Sequence, residues 1–155
     1  MAGRAGRAED AGEVIVQTYK PEHPCIAAAA AQDYRAFFNE EFDRRRTGLY
    51  PPFTLFARLL LESADADTAQ RRSRQLFQEV EAYLAAHPAQ KKRVLTARVD
   101  EAPVKMIRGK YRYHVLLKLF EHEDAKPVLD LLSDLALSSD EQCQVYFELN
   151  PSTLL

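Results

Sequence analysis

From Phe53 to Leu149 the residue pattern switches repeatedly between strand-like and helix-like segments, and this order restricts the possible folds more than any other feature. The predicted strands are Phe53–Glu62, Arg93–Val99, Tyr111–Phe120 and Gln144–Leu149. The predicted helices run from Asp65 or Asp67 to about Ala86, and from Pro127 to Leu137. The resulting order βαββαβ predicts an α+β, ferredoxin-like domain, in which two helices cover one face of an antiparallel sheet.

The third predicted strand carries different side chains on its two faces. One face is apolar and the other mixes basic and apolar residues, because side chains alternate along a strand. The apolar set is Tyr111, Tyr113, Val115, Leu117 and Leu119, and the mixed set is Arg112, His114, Leu116, Lys118 and Phe120. The first and third strands are central in this fold, so the mixed face is expected to lie on the side of the sheet that the helices leave open.

The residues before this domain predict a strand followed by two helices. Gly12–Tyr19 contains a Val-Ile-Val core and is typical of a strand, although nothing local can pair with it. Cys25–Gln32 is rich in alanine, and Tyr34–Arg46 follows Asp33, a good helix cap. In the second helix an aromatic stripe is expected to face inward. The stripe consists of Tyr34, Phe37, Phe38 and Phe42.

Positive charge is concentrated in one part of a chain whose net charge is only -2. Nine Lys or Arg residues lie between Lys91 and Lys118, against two acidic residues. Pro103 and Gly109 predict a basic loop before the third strand. The candidate binding residues are Lys105, Arg108, Lys110, Arg112 and Lys118. Such a surface suits a phosphate backbone or a carboxylate, and the alternative is a solvated loop and strand face.

Several classes of function find no support in the sequence. Cys25 and Cys143 lack metal-site or disulfide spacing, which favours a reducing cytoplasm. The chain has no phosphate-binding loop, zinc-protease motif or serine-hydrolase motif, and no apolar run as long as a membrane span. The four histidines fall in unrelated segments, so we expect structural or surface roles for them and no metal site.

The sharpest short motif lies near the beginning of the chain. Arg4 and Arg7 each follow a glycine, Gly3 and Gly6. This arrangement can present two arginines with little crowding, as arginine fingers do to a nucleotide phosphate. Gly-Arg repeats at a terminus are also typical of disordered basic tails.

These segments, taken in order, resemble the C-terminal part of the primosomal protein N′ family of replication-restart helicases. The motif at residues 3–8 and the segment Gly12–Tyr19 resemble the sixth helicase motif and last strand of the second motor lobe. Further matching segments are Asp33–Phe38, Glu40–Glu41, Arg46, Tyr50–Phe53, Ala102–Val104 and Tyr111–Lys118. The resemblance covers nearly the whole chain.

The resemblance implies a domain plan and an activity for the intact protein. Residues 1–20 correspond to the end of a motor lobe, 21–50 to a helical linker, and 51–155 to a C-terminal domain similar to the tenth protein of the small ribosomal subunit. The intact protein is then an ATP-dependent 3′-to-5′ DNA helicase of the bacterial nucleoid, with ATP, magnesium and structural zinc as cofactors. Gly3, Arg4, Gly6 and Arg7 match its nucleotide-binding motif. The other motor lobe is missing, so we expect no ATP hydrolysis by this chain alone.

The family's partners are DNA forks and single strands, single-stranded DNA-binding protein and other primosome proteins. Three roles for the chain follow. It binds DNA through the basic loop and third strand, with Tyr111, Tyr113 or Phe120 available to stack on a base. Alternatively, the same cations receive the acidic tail of single-stranded DNA-binding protein, or the domain is a scaffold for the motor lobes.

Overall fold

Two units make up the chain, Met1–Arg44 and Arg45–Leu155, and the computed structural model describes residues 14–152. The motif at Gly3, Arg4, Gly6 and Arg7 and the beginning of the predicted first strand lie outside the described residues. The functional boundaries after residues 20 and 50 stay predictions, because they come from the resemblance.

Both helices predicted before residue 50 are present. Helix α1 spans Pro24–Ala30, and the His23 side chain accepts a hydrogen bond from the backbone N–H of Cys25 at its start. Helix α2 spans Tyr34–Thr47. The predicted cap is confirmed, since the backbone N–H of Ala36 donates to Asp33 Oδ1 at 2.9 Å.

Two predictions for this part of the chain are wrong. Residues 14–19 form no strand, and the side chains of Val14, Ile15 and Val16 are exposed. Helix α2 has no buried residue, so its aromatic stripe does not face a core. The rings instead pack along the helix, with centroids of Phe38 and Phe42 5.5 Å apart. Helical spacing identifies side chains that share a face, but it does not establish that another element covers that face.

The second unit has the predicted βαββαβ fold. Its strands are β1 (Leu55–Ser63), β2 (Val94–Ile107), β3 (Lys110–Leu119) and β4 (Gln144–Leu149). They form one antiparallel sheet in the order β2-β3-β1-β4, which confirms that the first and third strands are central. The helices are α3 (Ala66–Ala86), the short α4 (Pro88–Lys91) and α5 (Lys126–Ala136), with a 3₁₀ turn at Glu123–Ala125.

The hydrophobic core lies between α3, α5 and one face of the sheet. Asp65 begins α3 as predicted, accepting a hydrogen bond from the backbone N–H of Thr68 at 2.8 Å. Apolar side chains at helical spacing in α3 and α5 meet alternate residues of the strands. The fully buried members include Leu59, Leu61, Leu76, Val80, Val115, Leu117, Leu119, Val128 and Leu132. The predicted apolar face of β3 is therefore the face that packs against the helices.

The predicted basic loop is wrong, because β2 and β3 form a β-hairpin there. Ile107 pairs with Lys110, and the two turn residues, Arg108 and Gly109, have φ angles of 52° and 78°, as in a type I′ turn. Pro103 is accommodated in the edge strand β2, whose register with β3 shifts between Glu101 and Met106. Proline and glycine here mark an irregular strand and a tight turn.

Replacing Gly109 with alanine is expected to lower the free energy of unfolding by about 1 kcal/mol, because alanine disfavours a positive φ. An added Cβ would meet no heavy atom within 4 Å, so the expected cost comes from the backbone conformation alone. Chemical denaturation of both proteins measures the difference. Arg108→Asn is the matched variant and should be slightly stabilising, since asparagine tolerates this region. A stability of Gly109→Ala equal to that of the original chain would contradict the assigned turn.

Candidate nucleic-acid interface

Three of the five candidate cations lie at the end of the β2–β3 hairpin, here called the hairpin tip and defined as residues 105–110. Lys105, Arg108 and Lys110 are all exposed. Lys105 Nζ lies 2.6 Å from Glu101 Oε2, and this hydrogen-bonded carboxylate raises the pKa of Lys105. In return, Lys105 lowers the pKa of Glu101. The charge of Lys105 is therefore balanced locally.

Unlike Lys105, neither Arg108 nor Lys110 makes a side-chain hydrogen bond or an ion pair within residues 14–152. A groove of about 420 Å³ lies next to Lys110, and its lining includes the carboxylates of Glu62, Asp65 and Glu141. These acids would repel a phosphate inside the groove. A polyanion is therefore best received at the outer end of the hairpin.

Arg112, the fourth candidate, is only 5% exposed. Its Nε lies 3.2 Å from Glu62 Oε1 on the neighbouring strand β1. The Arg112 side chain lies on the face of the sheet that the helices do not cover, and it is paired there with the Glu62 carboxylate.

Lys118, the fifth candidate, lies at the other end of β3, about 27 Å from Lys110 along the strand. Its Nζ donates a hydrogen bond to the carbonyl of Gly48 at 3.1 Å and lies 4.1 Å from the centre of the Tyr50 ring. These contacts attach the segment before β1 to the sheet. The five cations therefore do not form one surface: three are at the hairpin tip, one is buried, and one is at the far end.

The aromatic candidates for base stacking are also separated. Tyr113 lies on the helix side of the sheet, in a groove it shares with Gln70, Ser73 and Arg74 of α3, and its hydroxyl donates to Glu101 Oε1 at 3.2 Å. Tyr111 is half-buried, and Phe120 is 40% exposed beyond the end of β3.

The sheet face without helices was expected to be open, but its centre is buried. Arg58 and His114 are 3% and 2% exposed. Arg58 was not among the predicted site residues. It is a lone arginine in the apolar run of β1, however, and a charged residue in such a run indicates a buried cation that needs a partner. Glu148 of β4 provides that pairing, with its Oε2 2.5 Å from Arg58 Nη2. Leu60, Arg112 and Leu116 on the same face are also buried, with 6%, 5% and 2% exposure.

Residues 14–152 contain no group of three potential metal ligands among their His, Cys, Asp and Glu side chains. None of the helices in that range combines the length and apolar character that a membrane span requires.

The fold and the charge distribution define a ferredoxin-like α+β domain that presents cations on a β-hairpin. No protein-family model matches the chain. The chain is similar, however, to replication restart protein PriA of several bacteria. It is 28% identical to the protein of Haemophilus influenzae over 99% of this chain and 20% of that protein. It is 26% identical to that of Bacillus subtilis over 100% of this chain and 19% of that protein.

The PriA protein of Chlamydia muridarum is 29% identical over 99% of this chain and 19% of that protein. The chain thus spans about a fifth of the length of the curated relatives it matches. These alignments over nearly the whole chain confirm the predicted resemblance to a C-terminal fragment of PriA.

Proposed function

We propose that the chain is the C-terminal part of an ATP-dependent 3′-to-5′ DNA helicase that acts in primosome assembly and replication restart. The proposal is supported by the similarity to proteins named replication restart protein PriA, which extends over nearly the whole chain. In the intact helicase, Gly3, Arg4, Gly6 and Arg7 would contact ATP. Magnesium, and a structural zinc ion held elsewhere in the protein, would complete its set of cofactors.

Within that helicase, the unit Arg45–Leu155 binds DNA through the hairpin tip. The observation that carries this role is the presence of two exposed cations, Arg108 and Lys110, that have no partner in residues 14–152. A cation that is already paired must lose its partner before it can contact a phosphate, whereas an unpaired one releases only counterions. Arg108 and Lys110 are therefore the main phosphate contacts, with Lys105 secondary.

A second candidate role is the binding of the acidic tail of single-stranded DNA-binding protein at the opposite end of β3. The observation that favours it is the placement of Lys118 over Tyr50, with an exposed apolar side chain at Leu49. A cation beside apolar surface suits a peptide that carries both a carboxylate and an apolar end. The role as a scaffold for the motor lobes would need neither end of the strand to bind a ligand.

We expect the 155-residue chain to bind a fluorescently labelled DNA strand with a salt dependence that measures its phosphate contacts. The log-log slope of affinity against salt concentration should have a magnitude of about 2 to 4. Arg108→Ala should reduce that magnitude by roughly one, because one phosphate contact is lost. Fluorescence anisotropy at several salt concentrations provides the measurement.

Arg71→Ala is the matched control, since Arg71 is an exposed arginine on α3 rather than on the hairpin. It should leave the slope unchanged. An equal effect of the two variants would show that bulk charge, and not the hairpin tip, governs binding. Absence of binding at low salt to both a single strand and a duplex would reject the DNA role. Binding of an acidic peptide that Lys118→Ala weakens would then support the second candidate. If Lys105→Glu and Arg108→Glu alter neither DNA binding nor binding of the acidic peptide, the result supports the scaffold role.

A further inference from the structure

The hairpin tip exposes apolar side chains as well as cations. Met106 and Ile107 are 48% and 40% exposed. They are consecutive residues of β2, so their side chains project from opposite faces of the hairpin. Exposed aliphatic groups at the end of a hairpin do not contribute to the core, which lies between the sheet and the helices.

The tip holds these side chains in a defined position. Met106 pairs with Tyr111, and Ile107 pairs with Lys110 directly before the two-residue turn. β1 pairs with β3 only as far as Tyr111, so the Ile107–Lys110 pair and the turn extend beyond β1. The result is a narrow projection in which aliphatic side chains lie between cations.

We propose that Ile107 inserts as an apolar wedge between two base pairs of duplex DNA when the hairpin tip binds. This inference rests on the DNA-binding role proposed above and adds the form of DNA and the manner of contact. The neighbouring cations, Arg108 and Lys110, would hold the phosphates on either side of the step. Proteins that kink a duplex combine these two elements, aliphatic residues that part a base step and basic residues that hold the backbone.

The chemistry of the tip favours a duplex over a single strand. Proteins that hold single strands use aromatic rings as stacking surfaces, but residues 105–110 contain no aromatic side chain. A branched aliphatic side chain such as that of Ile107 stacks poorly on a base but can separate two stacked pairs. The unpaired cations likewise favour a polyanion over an apolar protein surface as the occupant.

The test uses the 155-residue chain and a duplex in which 2-aminopurine replaces one adenine at a time, because this base fluoresces more when it is unstacked. Binding of the original chain should raise the fluorescence at least about twofold at one or two positions. Ile107→Thr keeps a β-branched residue in the strand; it should lower that rise by at least about half while changing the affinity by less than about threefold.

Leu149→Thr is the matched control, since Leu149 is an aliphatic strand residue of similar exposure, 45%, on β4. It should retain the full fluorescence rise. Ile107→Gln, a second variant at the wedge position, keeps the test valid if Ile107→Thr fails to fold, and it should likewise lower the fluorescence rise by at least about half. DNA binding without a fluorescence rise, or a full rise with both Ile107 variants, would overturn the wedge and leave the DNA-binding role intact. Absence of DNA binding by the original chain would overturn both.

Discussion

Replacing Glu148 with glutamine is expected to lower the free energy of unfolding by about 3 kcal/mol. Arg58 Nε donates a hydrogen bond to Glu148 Oε2 at 2.5 Å, and Arg58 Nη2 lies 2.5 Å from the same oxygen. The Arg58 side chain is only 3% exposed. A neutral amide would leave the arginine charge buried without a counterion. Because Glu148 itself is 36% exposed, water can partly compensate, and the loss should lie at the lower end of the range for buried pairs.

Urea denaturation of two further variants makes this prediction specific. Asp130→Asn removes the carboxylate of an exposed pair, in which Lys126 Nζ lies 2.6 Å from Asp130 Oδ2, and should cost less than about 1 kcal/mol. The double variant Arg58→Met and Glu148→Leu removes both charges, and should be more stable than Glu148→Gln alone. If Glu148→Gln costs no more than Asp130→Asn, Arg58 is not an uncompensated buried charge in that variant.

The order of strands and helices in the second unit could be predicted because its determinants are local. The alternation of residues in β3 identified the core face, and Asp65 marked the beginning of α3. Each of these features depends on neighbours within a few residues of the chain. The fold then followed, because few arrangements bury one face of two helices against a sheet.

The candidate site was predicted less well because it depends on contacts between distant segments. Pro103 and Gly109 are typical of loops, but pairing with β3 keeps the first in a strand, and the second completes a two-residue turn. Arg112 and Lys118 were grouped with the hairpin cations because they share one face of β3. In the folded protein Arg112 pairs with Glu62, and Lys118 donates to the Gly48 carbonyl. No local sequence pattern identifies these partners.

His114 is expected to make the protein less stable as the pH falls below about 6.5. Burial, and next the nearby charge of Arg58, lower the pKa of His114 from 6.5 to about 4 in the folded chain. Between these two values the unfolded chain binds a proton that the folded chain does not, so acidification favours unfolding. The stability due to the neutral histidine is complete above the unfolded pKa and is lost as the pH falls through this window to about 4.

The charged neighbours of His114 act on its pKa in both directions. On the helix-free face the arginines oppose protonation and Asp100 favours it. Cations and carboxylates of all four strands lie on this face: Arg58 and Glu62 on β1, Arg98 and Asp100 on β2, Arg112 on β3, and Glu148 on β4. Burial is the largest cause of the shift, so the carboxylates reduce the effect without reversing it.

Urea denaturation at pH 7 and pH 5 should show a loss for the original chain about 2 kcal/mol larger than the loss for His114→Gln. The difference between the two proteins isolates the histidine, because both carry the same carboxylates. Equal losses in the two proteins would mean that His114 takes up a proton as readily in the folded chain as in the unfolded one.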